Sequence, residues 1–576
     1  MRNHTKLLLS ILILTSHTIM PAPHKCECRS STETCGYSSS SCCDCCSDSC
    51  CNYCCDDCCC NSSKSCCDCE CRVHAHTTFV VRPQFQVSSP EYLTAFRDRI
   101  DARKDGRGGA LQLTLFGGRS TKSGKLASYF TPHCKTCLWT KSTNPDGKTD
   151  LIAQHFNVDL QEQDEEEQLF ASRISLCPRI ETIGLGIVYR HNLHKAFSDD
   201  YDPEERHAWI EISTPITRVE TTMGLSECIT TSATREARKV EDLNQKFYSS
   251  MKCAFNQNAW CYGKINGCCK CSKTRLADIT LMLGYEVVKC DKCLIESYLG
   301  FLIPTGNARC AKYVFEPVVG HGKHWGFVKG SHIMGTLWED EEEERLLQLA
   351  TDIHGQYLFK NEEMRSFDLK CKPWSRYMEV YKNLEQAQEA ADLQRTDEVA
   401  AALLSTPGIN VFTKCLCVRP KLSLTANTSF IFSSKKFRGE AGYNFYAKQS
   451  ECVQLCGWKE GPAIKAARGQ GRTNGFRTIN VNMDASELDP RPCHDQFDTT
   501  QPVDRYECNV IKACDIDLES ATHPYYFSNT FYASLGARWD DREYPLFIDF
   551  GGSYEFGCEN MVLNRWTAWA KFGASF

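Results

Sequence analysis

The last eleven residues, Trp566–Phe576, read W-T-A-W-A-K-F-G-A-S-F and constrain the fold more than any other stretch. Phe576, Ala574, Phe572, Ala570 and Ala568 share one parity and are all apolar. Ser575, Gly573, Lys571 and Thr567 hold the other parity, interrupted only by Trp569. Successive side chains on a β-strand point to opposite faces, so this pattern predicts a strand with one apolar and one small or polar face.

The pattern recurs upstream. Leu422, Leu424, Ala426, Thr428, Phe430 and Phe432 share a face, Ser433–Lys436 reads as a tight turn, and Phe437, Gly439, Ala441, Tyr443, Phe445 and Ala447 continue on the next strand. A second hairpin follows in Phe527–Trp539 and Leu546–Phe556, and earlier strands are predicted at Ile183–Tyr189, Ile210–Ile216 and Ala277–Val287. A soluble β-sandwich also alternates. Three features favour a membrane barrel: strands of about ten residues or more, short turns alternating with long polar loops, and aromatics such as Trp539, Tyr544, Trp566 and Trp569 near strand ends. The fold class predicted is therefore all-β, a large antiparallel transmembrane barrel over residues 77–576. Its length suits roughly 14 to 18 strands, an even number by the general rule.

Arg2, Lys6 and the apolar run Leu7–Leu14 read as a secretory signal over residues 1–22, too short to span a bilayer. No later stretch supplies the roughly 20 apolar residues of a membrane helix, so membrane residence would require a barrel. The net charge of -6 on 576 residues, without basic clustering, argues against a nucleic-acid partner.

Residues 23–76 are of another kind. Between positions 26 and 72 lie 18 of the 39 cysteines, and Val, Ile, Leu, Met, Phe and Trp are absent there, so only sulfur chemistry could order it. Cys42, Cys43, Cys45, Cys46, Cys50, Cys51, Cys54, Cys55, Cys58, Cys59 and Cys60 are the densest set. Three readings stand open: disulfide cross-linking within or between chains, binding of soft metals by paired thiolates, or a passive disordered spacer. The odd total leaves at least one thiol unpaired within a monomer.

Inward-facing Arg438, Glu440, Lys448, Arg538 and Lys571 are the pore-lining candidates, charged residues on the polar parity that would set a field across a lumen. Thr234–Met251 and Asn383–Leu404 look helical, as inserts that narrow the pore or as loop helices. The acidic runs Asp164–Glu167 and Glu339–Glu344 and the basic Lys465, Arg468, Arg472 and Arg477 read first as solvated loops. His321 with His324, and His191 with His194, lack regular Cys or carboxylate partners in sequence, which makes metal ligation the minority reading. G-x-S-x-G, H-E-x-x-H and a phosphate loop are all missing, so no enzyme and no cofactor is expected.

A terminal Phe on an alternating strand resembles the last strand of bacterial outer-membrane barrels, and the body as a whole resembles porin-type proteins. Phe79–Gln86, Arg365–Lys370, Trp374–Tyr381 and Gly442–Gln449 are similar to stretches of uncharacterised outer-membrane proteins of the Dependentiae. The Cys-rich segment departs from ordinary porins and is closer to the disulfide-linked chlamydial major outer-membrane proteins, which spread their cysteines instead of massing them. The resemblance implies that the last strand closes the barrel and that Phe572, Ala574 and Phe576 form the insertion signal read by the barrel assembly machinery. It implies outer-membrane lipids as surroundings, and disulfide-linked envelope proteins or a homo-oligomer as partners. The function expected is passive diffusion, with the Cys-rich segment in the periplasm cross-linking the envelope. The alternatives are a structural or adhesive protein with a closed barrel, or a secreted metal-binding β-protein.

Overall fold

The computed structural model describes residues 75–95, 108–141, 150–156, 158, 170–194, 205–231, 248–267, 269–342, 344–370, 373–383, 385–386, 389, 404–458, 462–464, 511–558, 560 and 562–576. The chain divides into Met1–Asp48 and Ser49–Phe576, and the described residues all lie in the second unit. The signal segment, the eleven tail cysteines named above, Asp164–Glu167 and the four basic loop residues fall outside the described residues, as do most of the two helical stretches. At the end of the first of these stretches Met251 begins a single helical turn, Met251–Ala254, where Glu227 accepts from Met251 N at 3.1 Å and Lys252 N at 2.8 Å and the Ser250 side chain accepts from Cys253 N at 3.2 Å.

Twelve strands form a closed antiparallel meander. They are β1 (Gly109–Thr121), β2 (Arg179–Asn192), β3 (Ala208–Thr222), β4 (Ile279–Cys290), β5 (Cys293–Ile303), β6 (Gly326–Asp340), β7 (Arg345–Leu358), β8 (Lys421–Ser434), β9 (Phe437–Lys448), β10 (Tyr526–Trp539), β11 (Leu546–Cys558) and β12 (Asn564–Ser575). The terminal strand closes the ring: β12 pairs with β1 from Ala110↔Ser575 to Thr121↔Asn564. Closure continues past the ladder, where Gly109 and Phe576 exchange backbone hydrogen bonds of 2.9 and 2.8 Å. One strand is broken. β3 pairs first with Cys271–Leu276 and then with β4, and the break at Ala277–Asp278 lies beside Pro215, which has no N–H to give to a ladder.

The expectation of 14 to 18 strands is corrected to twelve. The residues counted toward extra strands lie in the connections at one end of the barrel, 122–178, 223–270, 304–325, 359–420 and 449–525. Their described parts fold into small sheets, such as Asn361–Ser366 with Thr413–Arg419 and Cys452–Leu455, over a separate apolar core that includes Phe130, Phe156, Trp260, Trp374 and Tyr377. This body is called the cap below. At the opposite end the connections are short: 291–292, 341–344, 435–436 and 540–545, with 193–207 the longest, and the carboxy terminus lies there too.

Parity assigns the two faces of the wall. Outward side chains are apolar and open, among them Leu115 (56% exposed), Phe531 (58%), Leu535 (60%) and Phe572 (48%). Inward side chains such as Gln112, Thr114, Ser528, Thr530 and Lys571 are buried. No helix among the described residues is long and apolar enough to cross a membrane.

Candidate functional site

Twelve strands spaced about 4.8 Å apart and tilted about 40° close at a backbone radius of about 12 Å, more than wall side chains alone can fill. The lumen is filled by the chain's own residues Phe79–Ala95, called the inner segment. Its sequence explains its shape. Pro83 and Pro90 withhold backbone donors, so the run cannot add to a ladder. Ser89-Pro90-Glu91 has the signature of a helix start, and Pro90–Leu93 makes one turn, with Leu93 N donating to Ser89 O at 3.0 Å. The Glu91 carboxylate accepts from Phe85 N at 2.7 Å and ties the turn back on the segment.

The inner segment is fastened to the wall along its length. Near the cap, Arg82 donates to Asn444 Oδ1 at 3.1 Å, lies 3.8 Å from the Glu555 carboxylate and sits 4.4 Å over the Tyr446 ring. Arg565 donates to Arg82 O at 2.8 Å and to Glu555 at 2.6 Å. Gln84 then donates to Thr567 at 2.8 Å. Gln86 Nε2 lies 2.7 Å from His321 Nε2, and His321 Nδ1 lies 2.6 Å from Asp278. Farther along, Asn444 donates to Ser88 O at 2.9 Å, Tyr92 donates to Glu211, and Gln112 donates to Tyr92 O at 3.2 Å. Toward the short-turn end, Lys571 donates to Thr94 O at 2.6 Å, and Thr94 donates to Asp549 at 3.2 Å.

Apolar packing completes the seal. Phe85, Tyr92, Leu93, Phe116, Trp209, Tyr298, Tyr532, Phe547 and Trp569 belong to one buried cluster inside the barrel. Phe85 stacks on Phe116 with ring centroids 5.5 Å apart, and it needs Gly186 beneath it: a Cβ there would lie 2.2 Å from the Phe85 ring. Trp569, the exception in the terminal pattern, faces inward and donates to Asp549 at 3.1 Å.

The five sequence-predicted lumen residues do not form one cluster. Lys571 holds the inner segment at Thr94. Glu440 accepts from Ser429 at 2.8 Å, and Arg438 lies 4.0 Å from Glu440. Lys448 pairs with Glu451 at 3.1 Å under the cap. Arg538 is partly exposed near the short-turn end, 3.2 Å from Asp540. Sequence reading missed the residues that matter most here, Arg82, Phe85, Tyr92, Thr94 and their partners Glu211, Asp549, Glu555 and Arg565. Only Ser89-Pro90-Glu91 carried a local signal of the inner turn.

A buried charge network lies where cap and lumen meet. Arg365 donates to Glu363 at 2.9 Å and to Glu451 at 2.6 Å, and His324 Nε2 lies 2.9 Å from Glu363. Burial alone would raise the Glu363 carboxyl, but Arg365 and Arg309 hold it down at about 2. Burial likewise works against the Glu451 carboxylate, and Arg365 and Lys448 overcome it, holding the group well below its ordinary range. Burial, reinforced by Lys448, keeps His523 neutral. A cavity of about 40 Å³ beside Val80–Pro83 and this network has room for water and no more. The histidines singled out in the sequence are thus hydrogen-bonded: His321 to Asp278, His324 to Glu363, and His191 Nδ1 to Tyr189 at 2.8 Å.

Of the cysteines, Cys290 and Cys293 form a disulfide across the β4–β5 turn, and Cys134 and Cys137 are disulfide-bonded. Glu362, Cys417 and Cys456 offer three potential metal-ligand atoms within 4.8 Å of one another.

No protein-family model matches the chain, and no curated protein matches it. Solved structures with a likeness to it include an outer membrane channel from Pseudomonas putida F1, at 6% identity, covering 81% of this chain and 95% of that one with a TM-score of 0.32. The transport unit of the autotransporter AIDA-I from Escherichia coli follows at 7% identity, 84% and 93% coverage and a TM-score of 0.30. A Pseudomonas aeruginosa FadL homologue matches at 8% identity, 82% and 90% coverage and a TM-score of 0.24.

Proposed function

We propose that the protein is a channel-type β-barrel of the bacterial outer membrane, closed at rest by its own inner segment. The supporting observation is the unbroken series of contacts from Arg82 to Thr94 along the inside of a barrel whose outer face is apolar. An apolar belt of this extent is stable only against lipid or another apolar surface. Strands of 11 to 15 residues reach or exceed the 9–11 that cross a bilayer when tilted.

Free diffusion of solutes then requires the inner segment to move. Of the charges assigned to a lumen wall, Lys571 holds this segment, Arg438 faces Glu440, and Lys448 and Arg538 pair with Glu451 and Asp540. Passage of small solutes, selected by size and by the field of Arg438, Glu440 and Arg538, follows only when it shifts. The second reading is an anchor that carries the cap and never conducts, and it is favoured by the ordered cap core.

Single-channel recording of the full chain in a planar bilayer separates the two. Rare openings that become frequent when contacts of the inner segment are removed support the gated channel. Silence from both proteins, when each is inserted and heat-modifiable on gels, supports the anchor. Protein that fails to insert refutes the membrane assignment.

A further inference from the structure

Three cap strands continue the wall. Asn361–Ser366 follows β7 after 359–360, Thr413–Arg419 leads into β8 through Pro420, and Cys452–Leu455 follows β9 after 449–451. They pair in the same order as the wall strands they extend. Alternation gives this small sheet two faces. Leu416 and Val418 are fully buried in the cap core, Val453 and Leu455 pack against that core, and Glu363 and Arg365 belong to the buried charge network. The other parity carries Glu362, Cys415, Cys417 and Cys456.

The ladder brings these groups together from distant parts of the chain. Glu362 stands directly across from Cys417, and Cys456 follows Leu455, the partner of Leu416. Cys417 Sγ and Cys456 Sγ lie 2.8 Å apart, and a Glu362 carboxylate oxygen is within 4.8 Å of both. Cys415 Sγ donates to Glu362 Oε2 at 3.5 Å. Glu362 and Cys417 are half-buried and Cys456 is exposed, so the group is open to an ion from solution.

The donor set selects the ion. Two thiolates and one carboxylate do not suit Ca2+ or Mg2+, which take six or more ligands, mostly oxygens. The carboxylate argues against Cu(I), which selects thiolate and thioether ligands. Zn2+ accepts sulfur and carboxylate oxygen together in a tetrahedron, with Zn–S about 2.3 Å. Such a tetrahedron sets its sulfurs about 3.8 Å apart, so the pair has to open by about 1 Å. Cys456 lies exposed just past the end of its strand and is free of the ladder that would resist this.

We propose that Glu362, Cys417 and Cys456 bind Zn2+, with water as the fourth ligand, and that the ion clamps the continuations of β7, β8 and β9 together in the cap. Both thiols release their protons to solvent on binding. The site does not depend on whether the lumen conducts.

The test uses the full chain, purified in detergent without reductant and held at defined free Zn2+. Iodoacetamide labelling of Cys417 and Cys456 is read by peptide mass spectrometry, which separates these two thiols from the other cysteines. The expected result is that both are shielded in zinc and both react once a chelator removes it, with no reductant added. In Glu362→Gln, half-protection should need roughly tenfold or more free zinc. In Cys417→Ser, Cys456 should react in zinc that shields it in the wild type. Heat-modifiability on gels checks that each variant folds, and the wild-type labelling decides alone for any that does not. Labelling of the wild type at saturating zinc overturns the proposal. So does labelling that appears only after reductant, which assigns a disulfide between the two cysteines instead. Unchanged protection in a folded Glu362→Gln or Cys417→Ser overturns the three-donor site.

Discussion

Arg82→Ala is the sharpest perturbation of the closed lumen. The guanidinium makes one hydrogen bond to Asn444 at 3.1 Å, a contact with the Glu555 carboxylate at 3.8 Å and a cation–π contact with Tyr446. A charged hydrogen bond contributes about 1.5–3 kcal/mol and a desolvated cation–π contact about 2. Against this, Arg82 Nη2 is buried without a hydrogen-bond partner, which offsets part of the sum. A net loss of about 3 kcal/mol moves the equilibrium between seated and displaced segment roughly a hundredfold. Glu555 keeps Arg565 at 2.6 Å and Ser528 at 2.6 Å, so the substitution strands no wall charge and the barrel itself should stay intact. The assay is the open fraction in single-channel records, with heat-modifiability on gels as the control for folding. An open fraction unchanged from wild type in properly inserted protein would refute the claim that these contacts hold the channel shut.

Four further outcomes are expected. Gly186→Ala pushes a methyl into the Phe85 ring and should raise the open fraction as Arg82→Ala does, whereas Gly355→Ala, whose new methyl meets nothing nearer than 3.7 Å, should not. Phe531→Arg on the outer face should cost about 2–4 kcal/mol if it sits near the bilayer midplane, read from urea titration of folding into vesicles, while a soluble protein would tolerate it. The cap should weaken as pH falls. His523 is kept neutral in the fold and charges in the unfolded chain below about pH 6.5, so stability begins to drop there. The stabilisation from Glu363 is complete above its unfolded value of 4.5 and is lost as pH falls toward about 2, and Glu451 acts in the same direction. Fluorescence of the buried cap residues Trp260 and Trp374 follows this, and a cap more stable at pH 4 than at pH 7 would contradict it. Finally, replacing Cys42–Cys60 by Ser should remove any reducible oligomers without changing conductance, and oligomers that persist would rule out cross-linking through those cysteines.

What could be read from the sequence was local. Parity along Trp566–Phe576, Leu422–Ala447 and Phe527–Phe556 gives the correct faces because a strand alternates whatever it pairs with; the turn read at Ser433–Lys436 is tighter in the structure, where Ser433 and Ser434 still pair with Arg438 and Phe437 and only Lys435 and Lys436 connect the strands. That Phe572 is outward and Lys571 inward required nothing beyond this period. Strand number could not be obtained in this way. Asn361–Ser366 and Thr413–Arg419 are strands, but which sheet they join depends on partners far away in the chain. Nor does Phe79–Ala95 announce itself as the filling of a lumen, because much of its hold comes from Asn444, Glu555, Arg565 and Lys571, more than 350 residues later. The sequence by itself determined the period, and with it the two faces of a wall. Only the closed ring decided how much space that wall encloses and which residues fill it, because enclosure depends on all twelve strands together.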